Sequence, residues 1–454
     1  MDTHGSSAGR RGRSRRRLVA VATAVLLAAT ACGGDHDDEG SSEDAGAVDG
    51  AQLDELLGPE QPAYGEPVRI GLVSDGQSAA FDARIEIYAA QATVDYWNER
   101  RGGIAGRPIE LVTCETGADP ARGTDCGNQM VENDVVAVVV GQSTVPEALW
   151  EPLHQAGIPT MFFQTNGQSM LTDTETSFVI SNPLTTALGL PISVAQDEQT
   201  DRVAFVVVDI PVAISLFETV APAILEAAGL EYALIKVPLG TADMTSQIGD
   251  VASSGARVVQ VVGNDAFCIA AFQALSAVGY DGKVTAVSQC VTDATREAIP
   301  GDQLEGMYVT SGVALGAADD PTYQQYEAVM DAYGDDVPVD DNVSMVGYTV
   351  VAALATSLDG ITGEITPATV VSTIKAMPDQ QLPGGGGVGF RCGGSAMALA
   401  PAVCSNQWLR AALDADGQPA GYEAVDSTAI LEGLSAGRGA VRPRSGVSPS
   451  EREG

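Results

Sequence analysis

Trp97-Asn98-Glu99-Arg100-Arg101-Gly102-Gly103-Ile104-Ala105-Gly106-Arg107-Pro108-Ile109-Glu110-Leu111 joins a helical pattern to an extended one, and the fold follows from that junction. Upstream, residues 83–100 read as a helix with Ile85, Tyr88, Ala92 and Tyr96 on one apolar face. Gly102 ends that helix, because a residue without a Cβ adopts the left-handed conformation at little cost. Pro108 has no N–H for a ladder, so it suits the first position of a strand. Helix, glycine turn and strand in succession are the grammar of an α/β protein.

The same grammar extends in both directions. Short β-branched runs read as buried parallel strands over 68–73, 109–113, 135–140, 159–162, 203–208, 232–237, 258–262 and 283–287. Helical patterns over 147–155, 214–228 and 267–278 lie between them, and further helices are expected over 322–333, 344–358 and 367–377. Roughly 370 residues between the polar ends exceed what one core usually holds, so two lobes are expected. Composition breaks near 178–184 and 310–318 mark two crossings between lobes. A third is expected at Pro383-Gly384-Gly385-Gly386-Gly387. Lobe 1 then comprises 66–182 and 313–383, and lobe 2 comprises 183–312 and 384–432. The reading is an α/β chain of two Rossmann-like lobes with parallel sheets, joined by a three-segment hinge that restricts motion to opening and closing. No strong internal repeat stands out.

The ends point to export. Arg10, Arg11, Arg13, Arg15, Arg16 and Arg17 precede an apolar run from Leu18 to Ala29, then Ala29-Thr30-Ala31-Cys32. A charged segment, a short apolar one and small residues make a secretory signal over 1–31. Cys32 resembles the lipidated cysteine of a lipobox, which becomes the mature N-terminus. Ser14-Arg15-Arg16-Arg17-Leu18 also resembles a twin-arginine signal, so both export routes stay open. Residues 32–65, rich in Asp, Glu, Gly and Ser, read as an acidic flexible tether, and 433–454 as a disordered tail.

The formal charge of −36 becomes more negative once the six arginines of the signal are removed. Such a surface repels nucleic acid and anionic lipid headgroups. Of seven cysteines, six remain beside Cys32. They fall into near-sequence pairs, Cys114 with Cys126, Cys268 with Cys290 and Cys392 with Cys404, out of fifteen connectivities that six cysteines allow. An even number in an exported chain favours disulfides over zinc, and neither a metal nor a cofactor is expected. Of three histidines, only His154 lies in a folded stretch, where a structural role is expected.

The stretch from Trp97 to Leu111 resembles the branched-chain-amino-acid-type solute-binding proteins, the Leu/Ile/Val-binding family with the type I periplasmic-binding fold. The resemblance runs from Pro67 to about Asp426, through Asp119-Pro120 and Gly157-Ile158-Pro159, and is most specific in its first 120 residues or so. It implies a solute site at the strand ends, where open parallel sheets place ligands. The candidates after strands of lobe 1 are Gln77, Ser78, Phe81, Gln142, Ser143, Thr144, Gln164, Thr165 and Asn166. Those of lobe 2 are Asp209, Asp265 and Gln289. In the family the loops around Ser143 and Thr165 hold a ligand carboxylate with hydroxyls and amides, and Phe81 stands where an aromatic covers the ligand.

The sequence departs from the family in lobe 2. Pro211-Val212-Ala213-Ile214 replaces an aromatic followed by glycine, and Gln289 stands where a carboxylate pairs the ligand's ammonium. A neutral amide cannot offset a buried charge, so a neutral or amide-bearing ligand is expected. If the strands before Cys268 and Cys290 are neighbours, that pair pins the loops of Asp265 and Gln289.

The resemblance thus implies a monomeric lipoprotein on the outer face of the cytoplasmic membrane, closing on a small solute and passing it to ABC permease subunits. Affinity in the micromolar range or tighter is expected. A ligand sensor reporting to a membrane receptor is the alternative. A secreted hydrolase is a weaker one: no Gly-x-Ser-x-Gly elbow occurs, and Gly384 to Gly387 lack the Lys-Ser/Thr of a phosphate loop.

Overall fold

The computed structural model describes residues 50–78, 82–182, 184–394, 396–397 and 400–428. The signal over 1–31, Cys32, Phe81 and the tail over 433–454 lie outside the described residues.

The β-branched runs form strands, buried on both faces within each sheet and only partly covered at the edges. The first sheet is entirely parallel. It contains β1 (Val68–Ser74), β2 (Ile109–Glu115), β3 (Ala137–Val140), β4 (Thr160–Phe162) and β5 (Ser177–Val179), in the order β2-β1-β3-β4-β5. The second holds β6 (Arg202–Val208), β7 (Glu231–Val237), β8 (Val258–Val262), β9 (Lys283–Val287) and β10 (Tyr308–Ser311) in the order β7-β6-β8-β9-β10. A short antiparallel pair follows, β11 (Gln380–Gln381) and β12 (Gly389–Phe390). Then β13 (Gln407–Leu413) and β14 (Pro419–Asp426) extend the second sheet antiparallel beyond β10. The two parallel sheets repeat one strand order, although no repeat of residues is visible. Connection length and burial pattern set the order of strands, and neither requires particular side chains.

The helix Ile85–Arg100 turns a different face inward from the one its apolar residues suggest. Tyr88 is 55% exposed, while Glu86, Ala89, Ala90, Thr93 and Trp97 are buried. The helix Asn342–Ser357 packs across it so closely that a Cβ on Gly347 would lie 2.5 Å from the Glu86 carbonyl oxygen. Small residues at that crossing govern the helix's rotation, and the phenol of Tyr88 tolerates solvent. At the far end Arg101 is the C-cap, Gly102 has φ +72°, and Asn98 clips helix to strand. Its Nδ2 donates to the Ile109 carbonyl at 2.9 Å, and its Oδ1 accepts from the Ile109 N–H at 2.6 Å.

Two expectations need correcting. Within the supposed tether, Gly50–Leu57 is a helix. Leu57 is 1% exposed, and the helix packs on Pro321–Tyr333. Arg100 anchors the segment through Asp54 at 2.8 Å and the Gly58 carbonyl at 2.9 Å. Beyond it Gln61, Ala63 and Tyr64 donate backbone hydrogen bonds to Glu99, Asn98 and Gly106. One leucine-bearing patch was enough to dock the chain.

The second correction concerns the hinge. The chain passes from the first sheet to the second after β5 and leaves the second after β10. The glycine run packs beside the second crossing, Gly386 against Ala314, and the Gly384 carbonyl accepts from the Ala314 N–H. However, the chain does not join the second sheet there. Val403 pairs in parallel with Val179 of β5, and the passage to the second sheet falls between Cys404 and Gln407. Around the crossings a continuous apolar cluster includes Val179, Leu188, Val403 and Trp408, with the Trp408 indole donating to Ser427 at 2.8 Å.

Both π-helical turns, Thr185–Gly189 and Leu216–Val220, lie directly ahead of a proline-bearing turn, Pro191 and Pro222. A proline cannot donate to the carbonyl four residues back and crowds it, and a widened turn relieves both.

Candidate functional site

All strands of a parallel sheet end on one edge, and a reversal of strand order leaves a crevice between the loops after two of them. In the first sheet the reversal lies between β1 and β3, in the second between β6 and β8. The loops there are Asp75-Gly76-Gln77-Ser78 and Gly141-Gln142-Ser143-Thr144, then Asp209-Ile210 and Gly263-Asn264-Asp265. The loops after β4 and β9 flank them. Each described candidate from the sequence therefore lies at the carboxyl edge of its own sheet.

Two buried carboxyl groups organise the crevice of the first sheet, and neither was among the candidates. Asp75, 1% exposed, accepts from Thr116 Oγ1 at 2.6 Å, Ser143 Oγ at 3.3 Å and the Thr144 N–H at 2.7 Å. Glu86 is fully buried; it accepts from Ser74 Oγ at 2.5 Å and from the Gln142 N–H at 2.9 Å. Burial pushes the Glu86 carboxyl up to about 8 and the Asp75 charge adds to this, against the hydrogen bonds from Ser74, Gln142 and Gly141. A Cβ on Gly141 would sit 1.6 Å from Glu86 Oε1, so the carboxyl reaches the loop only because glycine is there. A third carboxylate, Glu115 at the end of β2, accepts from the Gln77 N–H at 3.0 Å.

The hydroxyl candidates thus have partners within the chain. Ser143 Oγ also accepts from the Val145 N–H, and Thr165 Oγ1 from the Gly167 N–H at the start of a short helix. Gln142, Thr144 and Asn166 are exposed side chains, as is Gln77, which bridges to Asp82. Gln164 Nε2 donates to Thr186 Oγ1 at 3.3 Å across the first crossing. Phe163 sits against Gly312 at the second crossing, where a Cβ would come within 2.6 Å of its ring. Ser78 is half-buried.

In the second sheet Asp209 is exposed, and Ile210 holds the N-cap position of the helix that follows. Asn264 caps the helix Asp265–Ala277 by accepting from the Phe267 N–H, leaving Asp265 half-buried beside it. Gln289 is exposed within the 3₁₀ turn Ser288–Cys290.

The sequence profile of the periplasmic binding protein family matches residues 67–402. The chain belongs to that family. The likeness extends to solved structures of the type I architecture. An extracellular ligand-binding receptor from Verminephrobacter eiseniae is 15% identical over 78% of this chain and 100% of its own, with a TM-score of 0.64. LivJ of Streptococcus pneumoniae, in complex with isoleucine, is 14% identical over 80% and 100%, with a TM-score of 0.61. A solute-binding protein from R. palustris, in complex with 4-hydroxybenzoate, is 17% identical over 80% and 97%, with a TM-score of 0.62. A comparison with curated proteins finds no match.

In this periplasmic binding protein all three cysteine pairs close. Cys114–Cys126, Cys268–Cys290 and Cys392–Cys404 have Cα separations of 5.6, 5.3 and 4.2 Å. β8 and β9 are parallel neighbours, so Cys268–Cys290 ties the first turn after Asp265 to the turn holding Gln289. Cys392–Cys404 instead braces the loop that pairs with β5. His154 stacks on Trp150 at 4.4 Å with its Nδ1 2.8 Å from Thr176 Oγ1, a packing role.

A cavity of about 400 Å³ lies elsewhere, lined by Leu57, Trp97, Arg100, Arg101 and Asp359 on the outer side of the first lobe. It is far from the strand ends in the fold and owes its wall to the docked N-terminal helix. Among the described residues no cluster of His, Cys, Asp and Glu could hold a metal ion, and no helix is long and apolar enough to cross a membrane.

Proposed function

We propose that this protein is an exported, lipid-anchored solute-binding subunit that captures a small polar solute between its lobes and presents it to an ABC importer. The observation that carries this reading is the repeated topology: two sheets whose parallel strands share one order, each with its reversal loops at the carboxyl edge, and a chain that passes between the sheets three times. Family membership supports capture over catalysis. The N-terminal arginines, apolar run and Cys32 support export and anchoring. LivJ with isoleucine and the R. palustris protein with 4-hydroxybenzoate support a small solute at the crevice.

The mechanism is closure. Solute meets the loops around Gln77, Gln142 and Asn166, the second lobe brings Asp209, Asp265 and Gln289 over it, and the membrane partner reads the closed form. A solute shifts closure only by as much as its affinities for the open and closed forms differ. The test is a thermal-shift screen of amino acids, amides, ureas, peptides, sugars and aromatic acids, followed by solution scattering. A true solute at about 100 times its Kd adds about 2.7 kcal/mol of stability and lowers the radius of gyration. A solute that raises the melting temperature without compaction would remove the closure mechanism.

A further inference from the structure

Backbone N–H groups at the ends of parallel strands are a natural seat for an anion, since they donate hydrogen bonds and carry partial positive charge. In this protein the seat is filled from within. The N–H groups of Thr144, Gln142 and Gln77 donate to Asp75 Oδ2 at 2.7 Å, Glu86 Oε1 at 2.9 Å and Glu115 Oε2 at 3.0 Å. The Ser143 hydroxyl turns to Asp75 as well. Both reversal loops of the first sheet thus direct donors at the chain's own carboxyl groups.

The cations nearest these loops are bound to other partners, Lys236 beside Asp209 to Glu218 among them. The six strand-end loops carry no Lys or Arg, and those of the second sheet add Asp209 and Asp265. Arg84 is paired with Asp82 at 2.9 Å, and Arg122 donates to the Glu115 carbonyl at 2.7 Å. An incoming carboxylate would have to compete for donors already in use and sit beside the buried Asp75 charge. An N–H group meets the opposite situation, because the half-buried Glu115 and Asp265 and the exposed Asp209 keep acceptor capacity at the loops.

We propose that the crevice selects a solute that offers N–H donors and carries no carboxylate, such as an amide, urea or amine, because Asp75 and Glu86 occupy the place of a ligand anion. This rests on the solute-capture reading above and names the class of solute. Asp75 and Glu86 are positioning residues: they hold the β3 loop with its donors turned inward.

The experiment uses the processed protein with Cys32→Ser, labelled with ¹⁵N, and two probes. Acetate titration should leave the Gln142 and Thr144 amide resonances unmoved, whereas Asp75→Ala, which frees the Thr144 N–H, should give a saturable shift. Matched pairs, leucine against leucinamide and 4-hydroxybenzoate against its amide, should favour the amide by about tenfold or more in Kd. Asp75→Asn, which keeps the shape and removes the charge, should narrow that preference and serves if Asp75→Ala does not fold. Saturable acetate shifts at Gln142 and Thr144 of the unsubstituted chain, or acids binding as tightly as their amides, would overturn the proposal while leaving capture intact. If no solute of any class binds, capture itself fails, and the acetate titration still decides whether the seat is occupied.

Discussion

Replacing Glu86 with Gln should stabilise the protein at neutral pH, an unusual expectation for a fully buried residue with good hydrogen bonds. Burial, reinforced by the Asp75 charge, raises the carboxyl from 4.5 to about 8. In the folded state Glu86 therefore keeps its proton at pH 7, where the unfolded chain has lost it. The folded pKa lies above the unfolded one, so this stability is complete below about 4.5, declines as pH rises, and is exhausted above about 8. At pH 7, about 2.5 units above the unfolded value, the loss is about 3 kcal/mol at 1.36 kcal/mol per unit.

Glutamine mimics the uncharged acid: its carbonyl accepts from the Gln142 N–H as Glu86 does, and its amide contacts Ser74 Oγ once that hydroxyl turns from donor to acceptor, without a charge to lose. Glu86→Gln should thus match the parent near pH 4 and exceed it by about 3 kcal/mol at pH 7, on the order of 4 °C in Tm for a chain of this size. The assay is urea unfolding of both proteins from pH 4 to pH 9, read as the difference between them. Equal pH slopes, or a variant weaker than the parent at pH 7, would refute an uncharged Glu86.

Three further predictions rest on separate features. Converting Cys268 and Cys290 to serine, or Cys392 and Cys404, should cost about 3 kcal/mol in either case. Only the first change should weaken solute binding, since it frees the turns of Asp265 and Gln289; equal affinity losses by calorimetry would speak against this. Asn98→Ala breaks both arms of the clip between helix and strand and should lower urea-unfolding stability by about 1–3 kcal/mol. An unchanged midpoint would show that the clip is redundant. Cys32→Ser should move the protein from the membrane fraction to the soluble one, and persistence in membranes would argue against lipidation.

Much of the fold was legible because local rules and tertiary structure agreed. The junction from Trp97 to Leu111 carries its helix stop, glycine turn and strand start within one short stretch, and each rests on backbone sterics that distant residues do not alter. Parallel strands announced themselves for a similar reason, since burial on both faces demands near-continuous β-branched runs. The short strands β5, β10, β11 and β12 and the antiparallel β13 and β14 escaped notice, being too brief or too mixed in polarity to show a period.

What escaped at the site was of another kind. A glutamate in the first turn of a helix reads as solvated and favourable to the helix dipole, and nothing beside Glu86 in the sequence says otherwise. Its burial depends on Gly141 and Gly347, which come from a loop and a helix remote in sequence and leave room only once packed.

The sequence alone determined the alternation of strands and helices, the even set of cysteines and the six strand-end loops, because each is written in neighbouring residues. Tertiary structure alone decided which face of Ile85–Arg100 turns inward, where the third hinge segment crosses, and that Asp75 and Glu86 take the loop's donors. Those outcomes hinge on sterics between segments far apart in the chain, and no local pattern records the space that one segment leaves for another.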